Sequence, residues 1–385
     1  MKAEGFKVIG VNILVFLVLL FLIEATGQVI ALIRPSYDVL FLQPDKVLGW
    51  KQVPNLNWTW AGHYWYAADF SVDIETNPLG FRDIAREYPK PPGVKRVALL
   101  GDSFIEAVQV PFEKTAGQLL EQKLNLLERE REQSRRWETL NFGISNYGVG
   151  QYLLTWEQYA RKYNPDYVAI FVAKFHMRRT VTKFSDGAFP KTEKERLWVR
   201  PTFRIESGAL VQEPAEDFDE FVKLQTDLIE TEFSGRRIHR RKQLVSLYYA
   251  DLLHKSLAQS FDQRSKHITT PSGNDHDADS NLLAVNMKII EELGRNAVST
   301  GSRLVVLDVS RYFGDEESVS SALKELCAKN GFGYIPLYED LLKANMNGVS
   351  TRWAHDGHFN EAGNQILAKA LFKWIAQNSP ASELQ

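Results

Sequence analysis

Disulfides and a strong charge bias are both missing from this 385-residue chain. It contains one cysteine, Cys327, so no intrachain disulfide can form. The 46 basic and 48 acidic side chains give a formal net charge of −2, which lacks the basic excess expected of a nucleic-acid partner. Hydrophobic residues make up 44% of the chain, enough for a full core in one large domain or two smaller ones.

Long apolar runs are also missing, except at the N-terminus. Residues 8–23 carry no charge and follow Lys2 and Lys7. The run could be a cleaved signal peptide, with a small-residue site at 25–27, or a helix buried in a soluble core. We favour an uncleaved anchor, because the apolar segment approaches the ~20 residues that a span needs. The preceding lysines predict a single-pass anchor in the lipid bilayer, with the body on the periplasmic side.

The remaining chain divides into an extension and a main domain. Residues 36–95 lack helical periodicity and place Trp and Tyr among Pro, Asn and Gly. We interpret them as strands and loops that pack on the main domain; a surface touching the membrane interface is the alternative. With residues 1–35 as anchor or signal, residues 96–377 form the predicted main domain.

Strand and helix patterns alternate along that domain. Apolar runs predict strands at 97–100, 140–143, 167–173, 304–309 and 334–337, and amphipathic patterns predict helices at 112–129, 152–163, 282–298, 316–329 and 360–375. The alternation predicts a three-layer, flavodoxin-like α/β fold, with a parallel sheet covered by helices on both faces. Residues 177–280 interrupt the rhythm with a hairpin at 203–211, and we expect this insertion to cap the site.

A serine follows the first apolar strand of the domain. The run 97–100 ends in Gly-Asp-Ser, which places Ser103 at the carboxyl end of a buried strand, where ligands bind in open parallel sheets. A serine hydroxyl needs a base, and the base needs a third group to orient it. Asp356 and His358 can fill these roles, since residues two apart in an extended loop project to one side. His355 is the rival base, and the alternative is that Asp356 and His358 only cap the last helix.

These motifs resemble those of the SGNH (GDSL-type) hydrolase family, in its membrane-anchored form. The likeness rests on residues 101–103, on the segment 77–82 before the strand, on residues 141–143 (Asn-Phe-Gly) and on residues 356–358. It covers about residues 77–180 and 300–377. The resemblance implies the SGNH fold and ester hydrolysis through an acyl-Ser103 intermediate, without a cofactor. The family more often has Asp-x-x-His where this chain has Asp-x-His.

The resemblance also implies a set of oxyanion donors. These are the backbone N–H groups of Ser103 and Gly143 and an Asn side chain in a third block. That Asn is missing after the strand that ends at residue 173, where His176 stands instead. We predict that the His176 ring points into the Ser103 site, and Asn146 is a second possible donor. The alternative is that His176 contacts only structural groups.

Three functions therefore stay open at this point. The first is hydrolysis of an acyl ester outside the inner membrane. The second is acyl transfer to, or deacetylation of, a cell-surface or secreted polysaccharide, so the expected substrate is an acyl ester or an acylated glycan. The third is a non-catalytic binding or assembly role on the same scaffold. No metal is expected, because the acidic stretch 275–279 lacks the Gly and the terminal Glu of a calcium loop.

Overall fold

The structure, a computed structural model, describes residues 2–33, 42–63, 68–182, 184–185, 198–215 and 275–379. The chain forms two compact units. One consists of residues 1–39 with 237–275, and the other of residues 40–236 with 276–385. The N-terminal helix belongs to the first unit, and the central sheet with the candidate site belongs to the second.

The N-terminal helix, α1, spans Lys2–Ile33. Its stretch Val8–Gly27 has a mean hydropathy of 2.7 and is long and apolar enough to cross a membrane. A signal sequence at the N-terminus has the same properties. The most apolar window of this stretch has no buried residue, which argues against a helix enclosed in a soluble core.

The extension folds into two antiparallel hairpins. They pair β1 (Leu42–Asp45) with β2 (Gly49–Gln52) and β3 (Asn57–His63) with β4 (Ala68–Glu75). Trp50 and Trp58 are fully buried, and Trp50 Nε1 donates to the Ser145 carbonyl at 3.1 Å. Large aromatic faces are thus removed from water against the main domain. This supports the interpretation of the extension as added strands; residues 64–67 lie outside the described part.

A five-stranded parallel sheet forms the centre of the second unit. Its strands are β5 (Val94–Gly101), β6 (Arg136–Gly143), β7 (Tyr167–Val172), β12 (Arg303–Asp308) and β13 (Gly333–Ile335), in the spatial order β13-β12-β7-β5-β6. The order reverses between β5 and β7, which leaves a crevice outside their carboxyl ends. The predicted parallel α/β fold is confirmed.

Helices cover the sheet. They are α2 (Ser103–Glu106), α3 (Ala116–Glu130), α4 (Val149–Gln158), α5 (Lys174–Val181), α6 (Asp275–Ser299), α7 (Glu317–Asn330), α8 (Leu337–Met346) and α9 (Glu361–Asn378). Val97 and Leu99 share one buried apolar cluster with side chains of α3 and α9, whereas Ala98 and Leu100, equally buried, lie outside it. Because side chains alternate along a strand, both faces of β5 are covered.

One predicted strand is shorter than expected. The sequence pattern placed a strand at 334–337, but β13 ends at Ile335 and α8, which was not predicted, begins at Leu337. Pro336 lies between them. Proline has no N–H to donate to a neighbouring strand, but it is tolerated at the start of a helix. The strand therefore ends before Pro336 and a helix begins after it.

The described part of the insertion adds short strands. These are β8 (Phe184–Ser185), β9 (Trp198–Val199), β10 (Thr202–Glu206) and β11 (Ala209–Glu213). The predicted hairpin is present, with β10 and β11 joined by a turn at 207–208. The Phe203 ring packs directly on the backbone of Gly150 in α4. A Cβ at position 150 would lie only 2.5 Å from this ring. Residues 216–274 lie outside the described part, and the acidic stretch 275–279 forms the start of α6.

Candidate active site

Ser103 lies where β5 passes into α2. Asp102 caps this short helix, its Oδ1 accepting the Phe104 N–H at 3.1 Å. Ser103 is the first helical residue, so its N–H belongs to the group that has no partner within the helix. Only 9% of Ser103 is exposed. The nucleophile candidate therefore sits at the carboxyl end of β5, beside the point where the strand order reverses.

His358 contacts both of the side chains expected beside it. Its Nε2 lies 2.8 Å from Ser103 Oγ, and its Nδ1 lies 2.5 Å from Asp356 Oδ1. If Nδ1 carries the proton and donates to the carboxylate, Nε2 is free to accept the serine hydroxyl proton. The structure thus places the three side chains in one hydrogen-bonded chain. The last helix is capped by Asn360, whose side chain accepts the Gly363 N–H, and not by Asp356 or His358.

The loop geometry explains how a shortened Asp-x-His spacing still works. Gly357 has a φ of +85°, the left-handed conformation that glycine adopts at least cost. The loop is closed at its base by a bridge between Arg352 and Phe359 and by the Trp353 N–H, which donates to the His358 carbonyl at 2.9 Å. Asp356 and His358 therefore face each other across one glycine.

His355, the rival base, faces another group. Its Nδ1 lies 2.8 Å from Asp69 Oδ1, and its N–H donates to Asp69 Oδ2 at 2.8 Å. The contact with Ser103 is therefore made by His358, the predicted base, and the ring of the alternative, His355, faces Asp69. Burial raises the pKa of Asp69, but the hydrogen bonds from His355 and from the Asp356 N–H outweigh it and leave that pKa below its usual value. Sequence reasoning missed Asp69 altogether.

His176 contacts the backbone of its own helix start and the side chain of Asp102. The ring is fully buried, its Nδ1 accepts the Ala173 N–H at 2.9 Å, and its Nε2 lies 2.9 Å from Asp102 Oδ2. The Nε2 atom is thus close to the Asp102 carboxylate, although its angle to that group is poor for a hydrogen bond, and the contacts of the ring favour the alternative of a structural role. Burial lowers the pKa of His176 and outweighs the opposing attraction of Asp102, which keeps the imidazole neutral.

Asp102 is the centre of this buried cluster. Besides His176, its Oδ2 accepts a hydrogen bond from Arg179 Nη1 at 2.8 Å. Burial raises the pKa of Asp102, but His176, Arg179 and the Phe104 N–H together hold it well below its usual range. A charged carboxylate therefore fixes the first turn of α2, directly beside Ser103. Arg179, like His176, reaches the site from α5 after β7, at the same edge of the sheet.

Gly143 has a packing role that its predicted role did not include. Its N–H donates to Asn141 Oδ1 at 2.9 Å, so this amide already has an acceptor. A Cβ at Gly143 would lie 2.3 Å from the Glu106 backbone nitrogen. Glycine here allows α2 to approach β6 closely. The structure thus does not offer the Gly143 amide as a free oxyanion donor.

Asn146 lies in the turn after β6. It is 5% exposed and has a φ of 65°, a left-handed conformation that Asn tolerates better than most residues. The preceding side chain, Ser145 Oγ, donates to Glu106 Oε2 of α2. This contact brings the turn against the helix that begins with Ser103. Asn146 remains the side-chain candidate for the oxyanion.

Glu106 is a buried acid one turn after Ser103. It accepts from Ser145 Oγ and from Gln52 Nε2 of the extension. Burial raises the pKa of Glu106 to about 7, against the lowering effects of Ser145 and Arg82. Within the described ranges, no group of three or more His, Cys, Asp or Glu side chains is arranged to hold a metal ion.

Comparison with known proteins gives only distant structural likenesses. No family model and no curated protein matches the chain. Among solved structures, a lipase/acylhydrolase from Enterococcus faecalis is 12% identical at a TM-score of 0.38, covering 74% of this chain and 96% of the other. An acetylxylan esterase from Geobacillus stearothermophilus is 10% identical at a TM-score of 0.39, and the match covers 73% of this chain and 94% of the other. A member of the lipolytic G-D-S-L family from Veillonella parvula is 13% identical at a TM-score of 0.36, and the match covers 74% of this chain and 99% of the other.

Proposed function

We propose that the chain is a serine ester hydrolase of the SGNH type, acting through an acyl-Ser103 intermediate. One observation carries the proposal: Ser103 Oγ, the His358 ring and the Asp356 carboxylate form a continuous hydrogen-bonded chain at the carboxyl edge of the sheet. A serine, a base in reach of it and an acid that orients the base are the parts that nucleophilic acyl transfer needs.

The geometry supports a two-stage reaction. Ser103 Oγ attacks the ester carbonyl while His358 Nε2 takes the hydroxyl proton, and Asp356 stabilises the resulting imidazolium. His358 then returns the proton to the leaving alcohol. A water molecule, deprotonated by the same nitrogen, attacks the acyl-serine; the bond to Ser103 Oγ then breaks, His358 returns the proton to this oxygen, and the acid is released.

The oxyanion needs donors that are in place before the reaction. We assign the Ser103 N–H as the first, because the first turn of a helix leaves its amides without internal partners. The Asn146 side chain, on the turn that Ser145 ties to α2, is the second donor that the resemblance offers.

We also propose that the body lies on the periplasmic side of a bacterial-type inner membrane, anchored in the lipid bilayer by the span Val8–Gly27. The lysines before this span support that orientation. N-terminal sequencing of the mature protein tests the anchor. A chain that begins near Gln28 would show that the segment is a cleaved signal peptide.

Assay of the full chain against short p-nitrophenyl esters and acetylated sugars tests the activity. We expect hydrolysis by the wild type and none by Ser103→Ala. Adding an oligosaccharide acceptor distinguishes hydrolysis from transfer, since transfer would yield an acylated sugar in place of free acid. Equal rates for wild type and Ser103→Ala would favour a binding or assembly role.

A further inference from the structure

We propose that Asp69, a residue of the N-terminal extension, is a positioning residue that holds the loop bearing Asp356 and His358 in its working geometry. The inference rests on the function proposed above. Asp69 Oδ2 accepts two consecutive backbone N–H groups of the loop, from His355 at 2.8 Å and from Asp356 at 3.2 Å. Its other oxygen, Oδ1, lies 2.8 Å from His355 Nδ1.

An irregularity in the hairpin aims Asp69 at the loop. In the β3–β4 pair, Gly62 pairs with Phe70 but His63 pairs with Ala68, so Asp69 is an extra, unpaired residue of β4. Such bulges redirect a side chain and are enriched next to active sites. The side chain of Asp69 is only 8% exposed, whereas Asp73, four residues further along the same strand, is exposed.

Asp69 contacts the tip of the loop, away from the backbone hydrogen bonds that close its base. The base is closed by the Arg352–Phe359 bridge and by the bond from the Trp353 N–H to the His358 carbonyl. At the tip, the amides of His355 and Asp356 point at Asp69. Asp69 therefore restrains the residue whose carboxylate must stay against His358 Nδ1.

A second contact from the same strand supports the alignment. The Phe70 ring lies 5.7 Å from the Trp353 ring, centroid to centroid. Aromatic pairs at this distance add stabilisation beyond their buried area. Consecutive residues of β4 thus contact the base and the tip of one loop, and the extension completes the candidate site.

The test compares Asp69→Ala with Asp73→Ala in the full chain, using p-nitrophenyl acetate. We expect Asp69→Ala to lower kcat by about 10- to 100-fold, because a misplacement of about 1 Å can cost that much, with little change in KM. Asp73 is a matched control: it lies on the same strand and accepts from Thr59 Oγ at 2.7 Å, away from the loop. Its substitution should leave kcat unchanged.

Two further variants separate positioning from general stabilisation. Asp69→Asn should recover most of the rate, since the amide oxygen can still accept both N–H groups while its NH₂ faces His355 Nδ1. His355→Ala keeps both backbone amides, and we expect a smaller loss than for Asp69→Ala. A melting temperature shows whether each variant is folded.

Hydrogen exchange gives a readout that needs no substrate. We expect faster deuterium uptake in residues 352–359 for Asp69→Ala, and wild-type uptake for Asp73→Ala. Unchanged uptake and unchanged kcat in a folded Asp69→Ala protein would overturn the proposal, even if Ser103→Ala is inactive. If Ser103→Ala is as active as the wild type, the proposed function fails instead, and the exchange result alone decides whether Asp69 holds the loop.

Discussion

The two halves of the candidate site are built in different ways. Ser103 follows a buried strand, begins a short helix that the buried Asp102 caps, and is itself almost enclosed. The side chains of Asp356 and His358 are 17% and 28% exposed and stand on a loop that Asp69 contacts from the extension. The proposed nucleophile is thus positioned by the interior of the fold, and the proposed base by a loop. Changes beside Ser103 should mainly cost stability, and changes around His358 should mainly cost rate.

The largest effect is expected where the two halves meet. Ser103→Ala and His358→Ala should each lower kcat by about 10⁴- to 10⁶-fold, because residues that act as a unit fail together. For the same reason the double variant should be little worse than either single one. Steady-state kinetics on purified full-length protein checks this, with thermal melting as the control for folding. Additive losses in the double variant would show that the two residues act separately.

Asp356→Asn should have a smaller effect than either of those changes. An asparagine amide can turn its NH₂ toward His358 Nδ1, which favours the wrong tautomer of the imidazole. We expect kcat to fall by about 10²- to 10⁴-fold. A loss equal to that of His358→Ala would mean that Asp356 does more than orient the ring.

On the Ser103 side, His176→Ala should act on stability. It leaves the buried Asp102 carboxylate with one hydrogen-bond donor fewer, while Arg179 still pairs with it, and we expect a cost of about 3 kcal/mol of unfolding free energy. Urea denaturation measures the change, and the rate of the folded fraction should fall much less than for His358→Ala. A large loss in kcat with an unchanged unfolding free energy would restore the prediction that His176 serves the oxyanion.

The smallest effect concerns the buried acid Glu106. Its pKa is about 7 in the folded protein against 4.5 for the free side chain, mainly because of burial. The protonated form is thus favoured by folding, and this stabilisation is present below about pH 4.5 and lost as the pH rises through about 7. Asp83, with a pKa raised to about 7 by burial, changes stability in the same direction.

Glu106→Gln should reduce that pH dependence. The amide stays neutral and can donate to Ser145 Oγ, so at pH values above 7 the variant should regain roughly 3 kcal/mol relative to wild type. Denaturation curves at low and high pH check this, with Glu130→Gln, exposed at the end of α3, as the matched control. An equal pH dependence in wild type and Glu106→Gln would contradict the protonation of Glu106.

Local patterns in the sequence were enough to predict the sheet and the pairing of Ser103 with His358. The strands are continuous apolar runs. The motif at 101–103 follows the carboxyl end of one of them, and the motif at 356–358 lies in a loop at the same edge of the sheet. The partners of His176 and the close packing of Gly143 were not predictable, because they depend on how α5 and α2 pack against the sheet. Nothing in the sequence marked Asp69, since it lies 286 residues from the loop and its direction follows from a bulge.

Reaction of the full-length protein with a fluorophosphonate tests the central claim most directly, because it reports the activation of Ser103 without knowledge of the substrate. The account predicts a single modified residue, Ser103, identified by mass spectrometry of the peptide, with labelling slowed by orders of magnitude in His358→Ala and abolished in Ser103→Ala. A wild-type protein that stays unmodified, or that is labelled as slowly as His358→Ala, would contradict the account.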